Sequence, residues 1–264
     1  MTTTLSIATF NVNSVKARIT NLLAWLDEAR PDIVLLQELK CVDEAFPAME
    51  IEERGYNIAT HGQKTYNGVA ILSKFPLEDV TRGLAGEPGD EQARYIEAVA
   101  SIPGGALRVA SVYVPNGQEV GSDKFAYKLR FFARLAAHWQ ERLAYHEIAV
   151  LGGDFNVAPA PVDVYDPAAL EGAVCYHPAE REGLRALTHL GLYDAFRIAN
   201  PTAQQFSWWD YRELAFPKNR GMRIDYLFVS DTLKGQVHSV VHHRDERKRP
   251  QPSDHVPVEV ALSL

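Results

Sequence analysis

Ile148-Ala149-Val150-Leu151-Gly152-Gly153-Asp154-Phe155-Asn156-Val157-Ala158-Pro159 is the stretch from which the rest of the chain is best read. Ile148 to Leu151 is an apolar run of strand length, closed by two glycines and an Asp-x-Asn. In an extended chain residues i and i+2 point to the same side, so the Asp154 carboxylate and the Asn156 amide can converge. A lone Asp or Asn at a strand end is usually a turn or cap residue. Several such ends converging would make a pocket.

Other strands end alike. Thr9-Phe10-Asn11-Val12-Asn13 follows a strand predicted at Leu5 to Phe10. Gln37-Glu38 follows Ile33 to Leu36 in a strand predicted over Asp32 to Gln37, and Tyr113-Val114-Pro115-Asn116 ends Leu107 to Tyr113. Arg223-Ile224-Asp225-Tyr226 opens a strand over Arg223 to Ser230, and Ser253-Asp254-His255 precedes one over Val256 to Leu262. Gly68 to Ser73 is a further strand. Ile96 to Ile102 forms a hairpin with Leu107 to Tyr113 across Pro103-Gly104-Gly105. Ile19, Leu22, Leu23 and Leu26 follow helical spacing, as do Phe125, Leu129, Phe132, Ala136, Trp139 and Leu143, and Leu184, Leu187 and Leu190. Helices outside two stacked sheets fit this order. A doubly wound parallel sheet is the second choice, weakened by the antiparallel hairpin. No linker or repeat divides the chain, so one domain over 1–264 is expected.

The 264 residues are 46% hydrophobic and 23% charged, an ordinary globular composition. The longest apolar runs fall far short of the ~20 residues of a membrane span. Met-Thr-Thr-Thr-Leu-Ser has no basic region before an apolar stretch, so no secretory leader is expected. Cys41 and Cys175 form no framework, which fits a reduced, cytoplasmic protein. The net charge of −7 argues against a non-specific DNA coat. Basic clusters at 124–134 (Lys124, Lys128, Arg130, Arg134), 212–223 (Arg212, Lys218, Arg220, Arg223) and 244–249 (Arg244, Arg247, Lys248, Arg249) still leave room for a DNA-facing side.

P-loop, dinucleotide, zincin and hydrolase-elbow signatures are absent from the sequence. What stands at the strand ends is a set of oxygen donors: Glu38, Asp225, Asp254, Asn11 and Asn156. These suit Mg²⁺ or Mn²⁺ rather than Zn²⁺. His255 can hold a charge at a phosphate, and Tyr113 and Asn116 add donors. With no serine or cysteine nucleophile paired to a base, attack by water on a phosphodiester is the economical chemistry.

The motifs, in order, resemble the exonuclease–endonuclease–phosphatase superfamily, and within it the exonuclease III and abasic-site (AP) endonuclease branch. The resemblance rests on Phe10-Asn11-Val12-Asn13, Leu36-Gln37-Glu38-Leu39-Lys40, Asn67-Gly68-Val69-Ala70-Ile71, Tyr113-Val114-Pro115-Asn116, Gly153-Asp154-Phe155-Asn156-Val157-Ala158-Pro159, Arg223-Ile224-Asp225-Tyr226 and Ser253-Asp254-His255. Phe206-Ser207-Trp208-Trp209-Asp210-Tyr211-Arg212 is similar to the segment that marks the DNA-repair branch. It implies a four-layer α/β/β/α sandwich of two packed mixed β-sheets flanked by helices, with the site at one edge. It implies hydrolysis of duplex DNA 5′ to abasic sites and removal of nucleotides or blocking groups from 3′ ends, by a monomer using Mg²⁺, with Mn²⁺ able to substitute.

Carried over by position, Glu38 corresponds to the principal metal ligand, with Asn11, Asp254, Asp154, Asn156 and His255 around the metal. Asp154 is similar to the residue that orients or deprotonates water. Tyr113, Asn156 and His255 resemble phosphate-contacting groups, with Asp225 holding His255. Asn116, Trp208, Arg212, Met222 and Ile224 are the expected substrate contacts, the apolar ones forming a pocket for the bare sugar. Whether Asp154 or His255 handles the water proton, and whether one or two metals act, stays open. Asn13 is neutral where some relatives carry an acid, and Met222 stands where some carry an aromatic. A phosphatase acting on a non-DNA ester, and a catalytically silent binding module, are the competing functions.

Overall fold

Two strand–helix–strand units organise the architecture, in a computed structural model that describes residues 4–264. Met1 to Thr3, part of the N-terminus read above as lacking a leader, lie outside the described residues. The chain runs β1 (Thr4–Asn11), α1 (Val15–Ala29), β2 (Ile33–Gln37), α2 (Ala48–Glu52), β3 (Asn57–His61), β4 (Val69–Ser73), β5 (Leu77–Arg82), β6 (Tyr95–Ile102) and β7 (Gly105–Tyr113). It continues with α3 (Asp123–Leu143), β8 (Ala149–Asp154), α4 (Pro167–Leu170), α5 (Pro178–His189), β9 (Leu192–Asp194) and α6 (Ala195–Ala199). Last come β10 (Trp208–Trp209), β11 (Gly221–Met222), β12 (Asp225–Ser230), α7 (Asp231–Lys234), β13 (Val237–His242) and β14 (Val258–Ser263).

Sheet A has the order β13-β14-β1-β2-β4-β3 and sheet B the order β5-β6-β7-β8-β12-β9. Each contains one parallel pair, β1/β2 and β7/β8, and every other pairing is antiparallel. A parallel pair needs a crossover, which α1 supplies to the first and α3 to the second. The doubly wound alternative is thereby overturned, because a doubly wound sheet would be largely parallel.

Ile7, Leu35, Ile71, Ile96, Val109, Val150, Leu227 and Val260 pack between the sheets. Sheet B's outer face buries Val112, Leu151 and Phe228 against Phe132, Trp139 and Leu187 of α3 and α5. Sheet A's outer face buries Phe10 and Leu36 against Leu22 and Trp25 of α1. The layers are therefore α/β/β/α. Fully burying each such side chain stabilises by roughly 1.5–3 kcal/mol. Gly152 lies where the sheets close most tightly. A Cβ there would stand 2.6 Å from Leu35 Cδ1 and from Leu227 Cδ2.

All eight strands expected from sequence form. β3, β5, β9 and β13, which sequence did not foreshadow, are the four sheet edges. β5 is Leu-Glu-Asp-Val-Thr-Arg, with no buried position. On α3 the buried face is Phe125, Lys128, Phe131, Phe132, Leu135 and Trp139 rather than the stripe through Leu129 and Ala136, which are only half-buried.

Candidate active site

Strand direction carries the polar residues to one edge. The parallel register sets Asn11 beside Gln37 on sheet A and Tyr113 beside Asp154 on sheet B. Glu38 comes one residue later. β12 runs antiparallel to β8 and begins with Asp225 opposite Asp154. β14 runs antiparallel to β1, so the segment before it delivers Asp254 and His255 to the same edge. Glu38 (φ 53°), Asn156 (φ 52°) and Asn13 (φ 45°) hold left-handed backbone just past their strands. Such conformations are uncommon for residues with a Cβ and cluster at functional sites.

Asn11 joins the two sheets. Its Nδ2 donates to Glu38 Oε1 at 2.8 Å and to Asp154 Oδ2 at 2.9 Å, and its Oδ1 accepts from the Asn13 N–H at 3.0 Å. Asp154 Oδ1 accepts from the Asn156 N–H at 2.9 Å. Asn156 donates to the Val114 carbonyl at 3.0 Å and accepts from Asn116 Nδ2 at 3.1 Å. His255 Nε2 lies 3.6 Å from Asp154 Oδ2, and its Nδ1 lies 2.9 Å from Asp225 Oδ2. Asp254 accepts from Asn13 Nδ2 and from Trp208 Nε1, each at 2.9 Å.

The protonation states follow from burial and neighbours. Burial works against a charge on His255, but the Asp225 and Asp154 carboxylates outweigh it and hold the imidazole well above its ordinary range. Burial raises Asp154, with Asp225 and Glu38 pushing the same way against His255 and Asn11. Burial, then the Glu38 and Asp154 carboxylates, keep the Tyr113 phenol protonated far above its usual value.

Ligand atoms of Glu38, Asp154 and His255 lie within 4.8 Å of one another, a grouping able to hold a metal ion. Of these the Glu38 and Asp154 carboxylate oxygens are the donors that suit a hard divalent cation. Lys40 Nζ, 2.9 Å from Glu38 Oε2 and 2.6 Å from Asn13 Oδ1, supplies positive charge at that carboxylate.

Glu38, Tyr113, Asn116, Asp154, Asn156, Trp208, Met222, Ile224, Asp254 and His255 line one cavity of about 410 Å³, with Val174 and Cys175 on its wall. Arg212 is not among them. It pairs with Asp210 at 2.7 Å and lines a second cavity, which shares Trp208 and Met222 with the first. Two residues unsuspected from sequence adjoin the site: Lys40, and Arg94, whose guanidinium lies 4.8 Å from the Tyr113 ring centroid. The position of Lys40 beside Glu38 in Gln37-Glu38-Leu39-Lys40 was the only available signal.

The basic clusters are largely spent on the protein itself. Lys128 and Arg223 are buried against Glu180 and against Asp163 and Asp194. Arg134 pairs with Asp90, Arg249 with Glu28 and Glu246, and Lys248 with Asp245. Lys124 is exposed and, among the described residues, bonds only the neutral Gln118, at 2.8 Å.

Residues 8–255 match the Endonuclease/Exonuclease/phosphatase family. Exodeoxyribonuclease III of Haemophilus influenzae is 36% identical over 94% of this chain and 96% of its own. The 3′ phosphatase NExo from Neisseria, solved with a product DNA hairpin, superposes with a TM-score of 0.95 at 37% identity, covering 98% of this chain and all (100%) of that one. An AP endonuclease from Archaeoglobus fulgidus superposes with a TM-score of 0.93 at 35% identity, over 98% and 100% of the two chains. The chain belongs to the endonuclease/exonuclease/phosphatase family, in its exonuclease III and AP endonuclease branch. The family is metal-dependent.

Proposed function

We propose that this chain is a DNA-repair phosphodiesterase that cleaves duplex DNA 5′ to abasic sites and removes nucleotides or phosphate blocks from 3′ ends, with Mg²⁺ as its metal and Mn²⁺ able to replace it. The observation that carries this reading is the Asn11 bridge, which sets the Glu38 and Asp154 carboxylates side by side within reach of a charged His255. Glu38 and Asp154, with His255 beside them, would hold the metal, which would supply Lewis-acid polarisation of a phosphate oxygen. Asp154, fixed by the Asn11 amide and the Asn156 N–H and 3.6 Å from His255 Nε2, takes a proton from water as the water oxygen attacks phosphorus. The P–O3′ bond breaks, and the leaving O3′ takes a proton from a solvent water to become a 3′ hydroxyl. His255, Tyr113 and the Asn156–Asn116 pair donate toward the phosphoryl oxygens, whose charge grows in the transition state.

Trp208, Met222 and Ile224 form an apolar wall beside Asp154, suited to a sugar without a base. Asp254 holds Trp208 in place. Cys41 and Cys175 are buried and unpaired, in keeping with a reducing cytoplasm. The test is one assay of an abasic duplex, a recessed 3′ end and a 3′-phosphate end, with and without EDTA. Metal-dependent cleavage on the 5′ side of the abasic nucleotide supports the proposal. Turnover of small phosphate esters with none of DNA would defeat it.

A further inference from the structure

Lys128 projects from α3 with its side chain wholly buried. Its ammonium has three protons, and each meets an oxygen: the Asn156 carbonyl at 2.7 Å, the Asn116 carbonyl at 3.0 Å, and Oε1 of Glu180. Glu180 is itself fully buried at the start of α5. Its Oε1 also accepts from the Cys175 N–H at 3.2 Å, and its Oε2 accepts from the His177 N–H at 3.0 Å as part of that helix's capping box. One ammonium therefore ties the loop after β7, the loop after β8 and the start of α5 together.

What it ties is specific. Asn116 and Asn156 meet side chain to side chain at 3.1 Å, and both face the cavity that holds Asp154. Asn156 holds a left-handed backbone that needs support from its surroundings. A buried ion pair is a poor source of stability, because desolvation offsets most of the attraction. Here two of the three protons go to carbonyls of residues that line the site. We propose that Lys128, held by Glu180, is a positioning residue for the reaction. It fixes the Asn116–Asn156 pair at the reacting phosphate without touching DNA. This rests on the nuclease reading above.

The experiment compares the unaltered protein with Lys128→Met, Glu180→Gln and the double variant. It measures melting temperature, duplex affinity, and single-turnover cleavage of an abasic duplex where all are folded. An unaltered protein that does not cleave would defeat the nuclease reading and leave the positioning claim without a reaction to serve. Each single change should lower the melting temperature. The double variant, which removes both charges, should recover much of that loss yet still cleave about 10²-fold more slowly, as a displacement near 1 Å would cause, with duplex affinity unchanged. Glu180→Gln keeps both carbonyl bonds and should cleave much faster than Lys128→Met at a similar loss of melting temperature. Cleavage that recovers with melting temperature in the double variant, or equal rate losses in the two single variants, would make the pair merely structural and overturn the proposal.

Discussion

Asp225 turns both carboxylate oxygens to one nitrogen of His255, at 2.9 and 3.1 Å from Nδ1. That contact fixes the ring, leaves Nε2 directed at Asp154, and favours the charged form inside a buried site.

Asp154→Asn and His255→Asn should each lower kcat by about 10²–10⁴-fold, the range for lost acid–base and charge-stabilising groups. Because both act on one transition state, the double variant should lose far less than the product of the single losses. Steady-state kinetics on an abasic duplex settles this. Multiplicative losses would assign the two groups to separate steps.

Glu38→Gln should fold and lose turnover at ordinary Mg²⁺ concentrations, with partial recovery in high Mn²⁺. The two carboxylate oxygens meet the Asn11 amide and the Lys40 ammonium, and the glutamine oxygen can keep one of these two bonds. A metal titration of activity is the measurement, and a curve superposable on that of the unaltered protein would remove Glu38 from the metal site.

Trp208 is half-buried and hydrogen-bonded to Asp254, whereas its neighbour Trp209 is packed against Phe206 and Phe216. Trp208→Ala should therefore stay folded and lose discrimination between abasic and intact duplex while keeping much of its 3′-phosphatase turnover. Trp209→Ala should instead lose about 3–5 kcal/mol of stability. Melting temperature, read with the ratio of abasic cleavage to phosphatase turnover, separates these outcomes. A collapsed melting temperature with an unchanged ratio in Trp208→Ala would count against the pocket.

Binding should weaken steeply with salt, through phosphate contacts. Lys124→Ala should flatten that dependence by about one unit of slope, the signature of one lost phosphate contact. A slope equal to that of the unaltered protein would take Lys124 off the DNA face.

His242, on β13, packs edge-on to Phe196, its two ring nitrogens unpartnered among the described residues. Burial, then the charges of Arg223, His243 and Arg197, lower it from 6.5 to about 3. Between those values the unfolded chain binds the proton and the folded chain does not. Stability from the neutral ring is thus full above pH 6.5 and is lost as pH falls toward about 3. His242→Phe keeps the ring contact without the proton, so its melting temperature should fall less steeply across that interval. Parallel curves for the two proteins would show that His242 does not drive acid unfolding.

The interior of the fold was legible in the sequence and its margins were not. Inner strands such as Ile33 to Leu36 and Ala149 to Leu151 are buried on both faces, so they stand out as apolar runs. The edge strands β3, β5, β9 and β13 pair on one side only, and β5 carries Glu78, Asp79 and Arg82 without a clear alternation. The strand-end residues were legible because topology alone gathers them. Arg212 lies outside the cavity that holds Asp154 and pairs with Asp210, two residues away. Lys128 resembled surface charge because its partner Glu180 lies 52 residues away. Distant pairing of that kind leaves no local pattern.

Gly152 marks the line along which the two sheets lock, with Leu35 on one side and Leu227 on the other. Asn11 and Glu38 ride on one sheet, Tyr113, Asp154 and Asp225 on the other. Catalytic alignment is thus a property of this seam, not of any single loop. A shear of about 1 Å between the sheets would part Asp154 from Asn11 while both hydrogen-bonded ladders stayed whole, and a misfit of that size is enough to cost turnover heavily. Turnover is in that sense a strain gauge for the interior, and bulk added at Gly152 registers there before circular dichroism detects any loss of sheet.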